Sequence, residues 1–493
     1  MQTVRADNQY RISSPPTDTL RWTRQDTIPV LMALLAGALL RLWMLKHFFE
    51  VTGDSLIYGG IAKNLLQSGR YALTVGTGET YPTLIRLPGY PLFLALCFKF
   101  FGLENYASAA WVQIVLELAG CLLLADVGRL AALARFGPGA SKVVAHCTLW
   151  LSALCPFTAV YAANPLSEAP TLFVIALAMW CAMRFDRSPG WGTALGFTFA
   201  VTYAALLRPD GALVAVAFAP VLLLRLIRMR GRQRKSFMRM VAICVLLAAM
   251  PFAAWTWRNW TTFQVIEPLA PRYATDPGEP TQAGWVSWVK TWCLDFVSTY
   301  QVYWSVPGDT LDVSKLPARA FDSPQQYAKT SALANDYNSG GDVLTPEIDA
   351  RFAQLARERY AAHPFDRHVL LPVGRVLDMW LRPRVENLPI DLDWWVYSHH
   401  YAETRFSWFY AGLNAFYLLL GLAGLYFRPR MWPWMLAYMV LRSALLLTVE
   451  APEARYTLEC FPMLFVLGGI ALYRLMYVVL LSVLKVNASD GSA

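Results

Sequence analysis

The chain has 493 residues, of which 56% are hydrophobic and 16% are charged, and its mean hydropathy is +0.36. This composition excludes an ordinary soluble globular protein, because apolar runs of about 20 residues recur, each long enough to cross a hydrocarbon core about 30 Å thick. The net charge of +9 does not indicate nucleic-acid binding, because the basic residues are scattered between the apolar runs. We therefore predict an all-α membrane protein that crosses the bilayer many times.

About ten apolar stretches are predicted to be transmembrane helices. They lie at 28–47, 107–128, 143–162, 166–184, 191–207, 210–227, 240–257, 406–427, 431–449 and 459–482. Arg and Lys are concentrated in alternate short loops and in the N-terminal segment, which lacks the apolar core of a signal peptide. The positive-inside rule then places both termini in the cytoplasm.

Two predicted outward loops are long. The first, 48–106, holds a polar helical pattern and a short apolar stretch, which suits helices lying at the membrane interface. The second, 258–405, is an extracytoplasmic region with interfacial helices. The predicted units are a cytoplasmic tail (1–27), a transmembrane bundle that includes the first loop (28–257), the loop region (258–405), C-terminal transmembrane helices (406–485) and a cytoplasmic tail (486–493).

Several charged residues are predicted at the outer ends of the spans, where an unpaired charge is costly. They are Asp54, Arg86, Glu168, Arg208, Arg258 and Arg455. Taken singly, Asp54 is equally well explained as a helix N-cap, and each Arg as a side chain that reaches the headgroups. Together they suit a cavity for a lipid phosphate, because guanidinium groups bind phosphate oxygens in pairs and stay charged.

The segments around these residues resemble the membrane-embedded type C glycosyltransferases. DSLIYGGIAKNLLQSGRY begins at Asp54, and RLPGYPLFLAL begins at Arg86. Further pieces follow in the family's order: Asn164-Pro-Leu-Ser-Glu168, Leu207-Arg208-Pro209, Trp255-Thr-Trp-Arg258-Asn259-Trp260 and Glu450-Ala-Pro-Glu-Ala-Arg455-Tyr456. The pattern is most similar to the protein O-mannosyltransferases and the aminoarabinose transferase that modifies lipid A. The O-mannosyltransferases carry two adjacent acids in the first loop, where this chain has Asp54-Ser55.

This resemblance implies an enzyme that moves a sugar from a polyprenyl-phosphate donor to an acceptor at the outer face of the membrane. Asp54 would be the general base, and Glu168 would orient the acceptor or a bound cation. The implied lipid-phosphate or donor contacts are Arg86, Arg208, Arg258, Arg455 and Tyr456. The implied sugar or acceptor contacts are Tyr58, Lys63 and Tyr90. Direct attack on the sugar implies inversion at the anomeric carbon.

No cofactor is required by the sequence. A divalent cation is compatible with such a site, but no cluster of metal ligands demands one. The expected partners are a polyprenyl-phosphate sugar, membrane lipids and an acceptor that the sequence does not identify. We expect the protein in the plasma membrane, which is the inner membrane of a bacterial envelope, with its active site facing outward.

Two weaker features lie before the eighth predicted span. His399 and His400 stand among Trp and Tyr residues, Tyr397 included, and are better explained by an aromatic belt at the interface than by a ligand site. Asp391 and Asp393 are better explained by a solvated loop than by a cation site.

Three more charged residues, Arg41, Glu117 and Arg442, fall inside predicted spans. Each is either a buried structural partner or part of a path for the lipid phosphate. A transporter or lipid flippase would place such charges in broken helices near the bilayer midplane and would show paired halves, and the sequence shows neither clearly. A non-catalytic envelope-assembly protein would keep the spans but tolerate loss of the two candidate catalytic carboxylates.

Overall fold

The structure, a computed structural model, describes residues 24–74, 76, 78–395 and 399–490. Most of the predicted N-terminal tail, as well as Tyr397, lies outside these residues. The α-helices in chain order are α1 (Arg24–Phe48), α2 (Asp54–Ser68), α3 (Gly89–Phe101), α4 (Tyr106–Ala153), α5 (Pro156–Ala163), α6 (Glu168–Arg187), α7 (Trp191–Leu207), α8 (Leu213–Arg228), α9 (Gly231–Phe263), α10 (Ala283–Lys290), α11 (Phe296–Ser298), α12 (Pro324–Ser339), α13 (Pro346–Ala362), α14 (Leu371–Leu381), α15 (Tyr401–Tyr426), α16 (Trp432–Leu446) and α17 (Phe461–Asp490).

Among the described residues, seven helices are long and apolar enough to cross a membrane by length and composition. They are Asp26–Phe48, Tyr106–Ala153, Glu168–Arg187, Pro209–Arg228, Gly231–Phe263, Tyr401–Tyr426 and Ala454–Leu480. The chain is therefore an integral membrane protein with an all-α polytopic fold, as its hydropathy predicts.

Several predicted spans have different ends in the structure. The predicted spans 107–128 and 143–162 share α4, which breaks at Gly137, where φ is 80°. The second of them is interrupted at extended Cys155 and continues as α5. The predicted span 431–449 is shortened, because α16 ends at Leu446. The last span is preceded by a 3₁₀ helix, Ala454–Cys460, which holds two of the candidate site residues.

The centre of the bundle is built from α4, α6, α15 and α17, which pack against one another. Small residues allow close approach between helix backbones, as is common in membrane bundles. At Gly424 of α15, a Cβ atom would lie 2.1 Å from the backbone oxygen of Leu467 in α17. This contact therefore fixes the spacing of the two helices.

A buried ion pair joins α1 to α4. Arg41 Nε lies 2.7 Å from Glu117 Oε2, and Arg41 Nη1 donates to the carbonyl oxygens of Gly37 and Ala153 at 2.9 and 2.7 Å. Both side chains are almost completely buried. Because these groups are satisfied by each other and by the backbone, we assign this pair to the architecture and not to a lipid path.

The long region after α9 forms its own apolar core. Trp285 and Trp288 of α10 pack on Phe352 of α13. The Asp349 carboxylate accepts from the backbone N–H groups of Gly284 and Trp285 at 2.9 and 2.8 Å, which caps α10. The first long loop holds α2, α3 and an antiparallel hairpin of β1 (Ala72–Thr74) and β2 (Thr80–Pro82).

Candidate active site

A polar cavity of about 500 Å³ lies where the first long loop meets the start of α6, the end of α7 and the 3₁₀ helix before α17. Seven of the predicted site residues line it: Asp54, Tyr58, Arg86, Glu168, Arg208, Arg455 and Tyr456. Residues far apart in the chain are thus gathered at one place.

Asp54 stands at the first position of α2. The helix is preceded by Gly53, whose φ of 51° suits a residue without a side chain, and no side chain caps it. The alternative interpretation of Asp54 as an N-cap is therefore wrong. Its carboxylate instead bridges two guanidinium groups, with Oδ1 2.7 Å from Arg86 Nη2 and Oδ2 3.3 Å from Arg455 Nη2.

Electrostatics keep Asp54 ionised. Burial alone would raise the pKa of this carboxyl, but the charges and hydrogen bonds of Arg86 and Arg455 outweigh it and hold the pKa below the ordinary value of 3.8. In the free site Asp54 is therefore a carboxylate throughout the neutral range, and a weaker base than an isolated aspartate.

Glu168 is the first residue of α6, where the helix dipole favours a negative charge. Its Oε1 accepts from Arg208 Nη1 at 3.2 Å and lies 3.5 Å from Arg455 Nη1. The side chain is 4% exposed, and Oε2 has no hydrogen-bond partner among the residues that the structure describes. A buried carboxylate oxygen without a partner is costly, so a donor from a bound molecule would relieve that cost.

A second layer of charges lies behind Arg208. The guanidinium of Arg208 is 3.3 Å from Glu459 and 3.6 Å from Asp210. Both carboxylates also pair with Arg442, whose side chain is fully buried and whose Nε donates to the carbonyl of Tyr456 at 2.9 Å. Arg442 thus supports the site from within the bundle and does not line the cavity.

The segment around Arg455 is held by its own neighbours. Arg455 Nε lies 2.6 Å from Glu453 Oε2, and the Tyr456 hydroxyl donates to the same carboxylate. The guanidinium carbons of Arg208 and Arg455 lie 5.5 and 5.8 Å from the centre of the Tyr456 ring. Tyr456 therefore positions two arginines by cation–π contact, and its hydroxyl is already committed.

The charges of this network nearly balance. Five carboxylates face four guanidinium groups: Asp54, Glu168, Asp210, Glu453 and Glu459 against Arg86, Arg208, Arg442 and Arg455. The arginines are thus fixed in position before any ligand arrives. Fixed donors need no reorganisation when charge develops on a reacting group, which is the basis of electrostatic catalysis.

Three predicted site residues are not brought to the cavity. Lys63 forms an exposed ion pair with Glu104 at 2.9 Å. Tyr90 is buried, donates to Gln113 Oε1 at 2.6 Å, and packs edge-on against Tyr58. Tyr90 therefore supports the cavity wall from behind, whereas Lys63 lies on another surface.

Arg258 is the third predicted site residue that does not line the polar cavity. Its guanidinium donates to the carbonyl oxygens of Thr83 and Tyr71 at 2.8 and 2.7 Å, and lies against the rings of Tyr71, Trp255 and Phe263. These contacts tie the hairpin of the first loop to α9. Arg258 therefore holds this loop, and it also lines a neighbouring cavity of about 690 Å³.

Two charged residues at the cavity, Asp210 and Arg272, were not predicted from the sequence. Arg272 lines the rim, its side chain is 68% exposed, and it pairs with Glu450 at 3.3 Å. Arg272 stands in a stretch of turns without a recognisable motif, so the sequence carried no signal for it, whereas Asp210 directly follows the Leu207-Arg208-Pro209 motif.

No protein-family model and no curated protein matches the chain. The chain does match several solved structures. The chain is similar to the archaeal oligosaccharyltransferase AglB from Archaeoglobus fulgidus in complex with an inhibitory peptide and a dolichol-phosphate, with a TM-score of 0.50 and 13% identity over 94% of this chain. ArnT from Cupriavidus metallidurans bound to undecaprenyl phosphate matches with a TM-score of 0.37 and 13% identity, covering 91% of this chain and 77% of that one.

The chain spans about half of AglB, covering 52% of its length. At this level of identity the likeness concerns the fold. It confirms the fold class predicted from the motifs, a polytopic helical membrane protein with the type C glycosyltransferase architecture.

Proposed function

We propose that the protein is a glycosyltransferase that moves a sugar from a polyprenyl-phosphate donor to an acceptor at the outer face of the membrane. The observation that carries this proposal is the arrangement of Asp54 and Glu168 in one cavity, each held by arginines. The fold supports the donor class, since AglB was solved with a dolichol-phosphate.

The donor phosphate binds first to Arg86. This guanidinium has Asp54 as its carboxylate partner, whereas Arg208 and Arg455 are each shared among three carboxylates. Arg86 therefore has the most donors left for phosphate oxygens. Arg272 at the exposed rim adds a second positive charge to the entry of the cavity.

Donor binding turns Asp54 into a better base. The lowered pKa of this carboxyl depends on Arg86 and Arg455, and a phosphate that engages either of them weakens that effect. The acceptor O–H or N–H then gives its proton to Asp54 while its heavy atom attacks the anomeric carbon. The bond from that carbon to the phosphate oxygen breaks, and the configuration inverts.

The leaving group is a polyprenyl phosphate, which gains one negative charge as the bond breaks. Arg86 and Arg455 stabilise that charge, because they already point into the cavity. The Oε2 atom of Glu168 accepts a hydrogen bond from the acceptor and so aligns it with the sugar.

An apolar groove along α7 and α9 is suited to the lipid tail. Cavities of about 690, 330 and 270 Å³ follow one another, the first two sharing Leu206 and Pro251 and the last two sharing Thr198. Leu206 lines the groove and the next residue, Leu207, lines the polar cavity. The polyprenyl chain of a phosphate bound in the cavity could therefore pass these two leucines and enter the groove.

The proposal is tested with full-length protein in proteoliposomes, radiolabelled undecaprenyl-phosphate sugars as a panel of donors, and an envelope extract as the source of acceptor. We expect discharge of at least one donor, and a marked loss in Arg86→Ala. The control is Arg351→Ala, which breaks an exposed ion pair with Asp336 outside the cavity. If the wild type discharges no donor faster than Arg86→Ala does, the proposal fails.

The outward orientation has its own test. Ser314 is exposed in the long region after α9, and the native cysteines are buried or half-buried. A membrane-impermeant maleimide should label the Ser314→Cys variant in intact cells or spheroplasts. Labelling only after permeabilisation would put the cavity on the cytoplasmic side.

A further inference from the structure

A cluster of metal-ligating side chains lies at the start of α15, outside the cavity. It comprises Asp391, Asp393, His400 and Glu403. None of the four lines the polar cavity. The sequence alone favoured an aromatic belt for the histidine and a solvated loop for the aspartates, and the structure brings these groups together around one imidazole ring.

The ring of His400 has a carboxylate at each nitrogen. Its Nδ1 lies 3.1 Å from Asp391 Oδ2 and 3.9 Å from Glu403 Oε1, while its Nε2 lies 3.1 Å from Asp393 Oδ1. Ligand atoms from Asp391, His400 and Glu403 all lie within 4.8 Å of one another. The other oxygen of Glu403 accepts from the backbone N–H of Asp391 at 2.8 Å, which fixes the turn that joins them.

The cluster offers a cation one imidazole nitrogen and two carboxylates. A neutral ring has one N–H, and an ionised carboxylate can only accept. If Nε2–H donates to Asp393, the lone pair of Nδ1 faces two carboxylates. A metal ion between them turns this repulsion into coordination, and an imidazole that donates its other N–H to a carboxylate is the usual arrangement of a metal-bound histidine.

The net charge of the cluster also favours a bound cation. The cluster has three carboxylates, and no Lys or Arg in the part of the chain that the structure describes forms an ion pair with any of them. The three carboxylates are between 30% and 63% exposed, and His400 is 19% exposed, so an ion can enter from solvent.

We propose that Asp391, His400 and Glu403 bind a divalent transition-metal ion, with Zn²⁺ the best match, and that Asp393 orients the histidine. One nitrogen and two oxygen ligands suit zinc, and three protein ligands leave a position for water. An imidazole ligand disfavours Mg²⁺ and Ca²⁺, which prefer oxygen.

The ion would fasten the segment between α14 and α15 to the start of α15. That segment reaches the active site through Arg384, which donates to the carbonyl of Ala454 at 2.7 Å and to Thr457 Oγ1 at 2.6 Å. Arg455 and Tyr456 lie between those two residues. A bound ion would thus brace the segment whose Arg384 holds the turn that carries Arg455.

The test measures Zn²⁺ binding to full-length protein purified without a histidine tag, stripped with chelator and dialysed against Zn²⁺. We expect about one ion per chain by elemental analysis. The His400→Ala/Glu403→Gln double variant should lose it, and Asp393→Asn should weaken it by about 10–100-fold. His399→Ala is the matched control, because its ring neighbours His400 but is not in the cluster.

Cobalt gives an independent readout. Co²⁺ in this site should show visible absorption without a thiolate charge-transfer band, and His400→Ala should abolish it. The proposal is overturned if the wild type binds no more Zn²⁺ than the double variant, or if His399→Ala loses binding equally. Asp393 is 54% exposed, so the Asp393→Asn variant should fold. It keeps the test decisive if the double variant does not fold.

Discussion

Asp54→Asn separates general-base catalysis from binding of the lipid phosphate. The substitution removes one negative charge and keeps the shape of the side chain. Arg86 then loses its carboxylate partner, whereas Arg455 keeps Glu168 and Glu453. The site should still assemble, with one guanidinium freed for phosphate. Turnover should therefore fall, whereas lipid binding should not.

The loss in kcat is expected to be about 10²- to 10⁴-fold, which is the usual contribution of a general base. At 1.36 kcal/mol per tenfold, this is about 3–5 kcal/mol of lost transition-state stabilisation. The affinity for undecaprenyl phosphate, measured by native mass spectrometry, should be unchanged or higher, because a negative charge beside the phosphate site has been removed.

Asp336→Asn is the matched control, since it removes the charge from an exposed ion pair between Asp336 of α12 and Arg351 of α13. It should leave both quantities unchanged. Full turnover in Asp54→Asn would refute the base assignment. A parallel loss of turnover and lipid binding would show that Asp54 only holds the site together.

The pH dependence adds a second readout for the same residue. The Asp54 carboxyl in the free site has a pKa below 3.8, so it stays ionised as the pH falls until that lowered value is reached. Because kcat/KM reports free-enzyme groups, its profile should show no acid limb from Asp54 between about pH 5 and 8. In the donor complex the negative charge of the phosphate offsets the positive charge of the arginines, which raises the pKa of Asp54. The acid limb of kcat should therefore lie at higher pH. An acid limb of kcat/KM near neutrality that disappears in Asp54→Asn would contradict this reasoning.

Three further variants test the fold around the site. Burial raises the pKa of Asp378 from 3.8 to about 6, so native stability falls as the pH rises between these two values. Asp378→Asn should therefore raise the thermal midpoint at pH 7.5 by the equivalent of about 3 kcal/mol and should flatten the pH dependence between about pH 4 and 6. Gly424→Ala should cost about 1–3 kcal/mol by forcing α15 from α17, whereas Gly412→Ala on the same helix, with open space at its Cβ, should be tolerated; thermal unfolding in detergent compares them. Glu117→Gln leaves the buried Arg41 charge without an ionised partner and should cost about 3–5 kcal/mol, seen as a lower thermal midpoint and poor yield; an unchanged midpoint would show that the pair is not structural.

Much of the site could be predicted because several charges of both signs fall at the outer ends of the apolar helices, where they need partners or a cavity. Asp54, Glu168, Arg208 and Arg455 each interrupt or end an apolar stretch, and the structure places all four at one cavity. The cost of an unpaired charge near the bilayer explains why this signal is informative. Hydropathy also indicated the spans, though it could not show that α4 continues past the predicted end of its first span.

The direction in which a side chain points could not be read from the sequence. Arg208 and Arg258 both lie at the ends of apolar helices, yet one faces the cavity and the other holds the hairpin through the carbonyls of Thr83 and Tyr71. Glu459 belongs to a predicted span, so only its contact with Arg442 shows that it supports the site. Such pairings depend on helix rotation and on contacts between distant segments.

In the proposed reaction the lipid phosphate binds in the polar cavity beside Asp54. A cryo-EM structure of the full-length protein in nanodiscs with undecaprenyl phosphate tests it most directly. We predict phosphate density within hydrogen-bond distance of Arg86, with the chain leaving along α7 and α9. Phosphate density elsewhere on the protein, with the cavity filled only by water, would contradict the account.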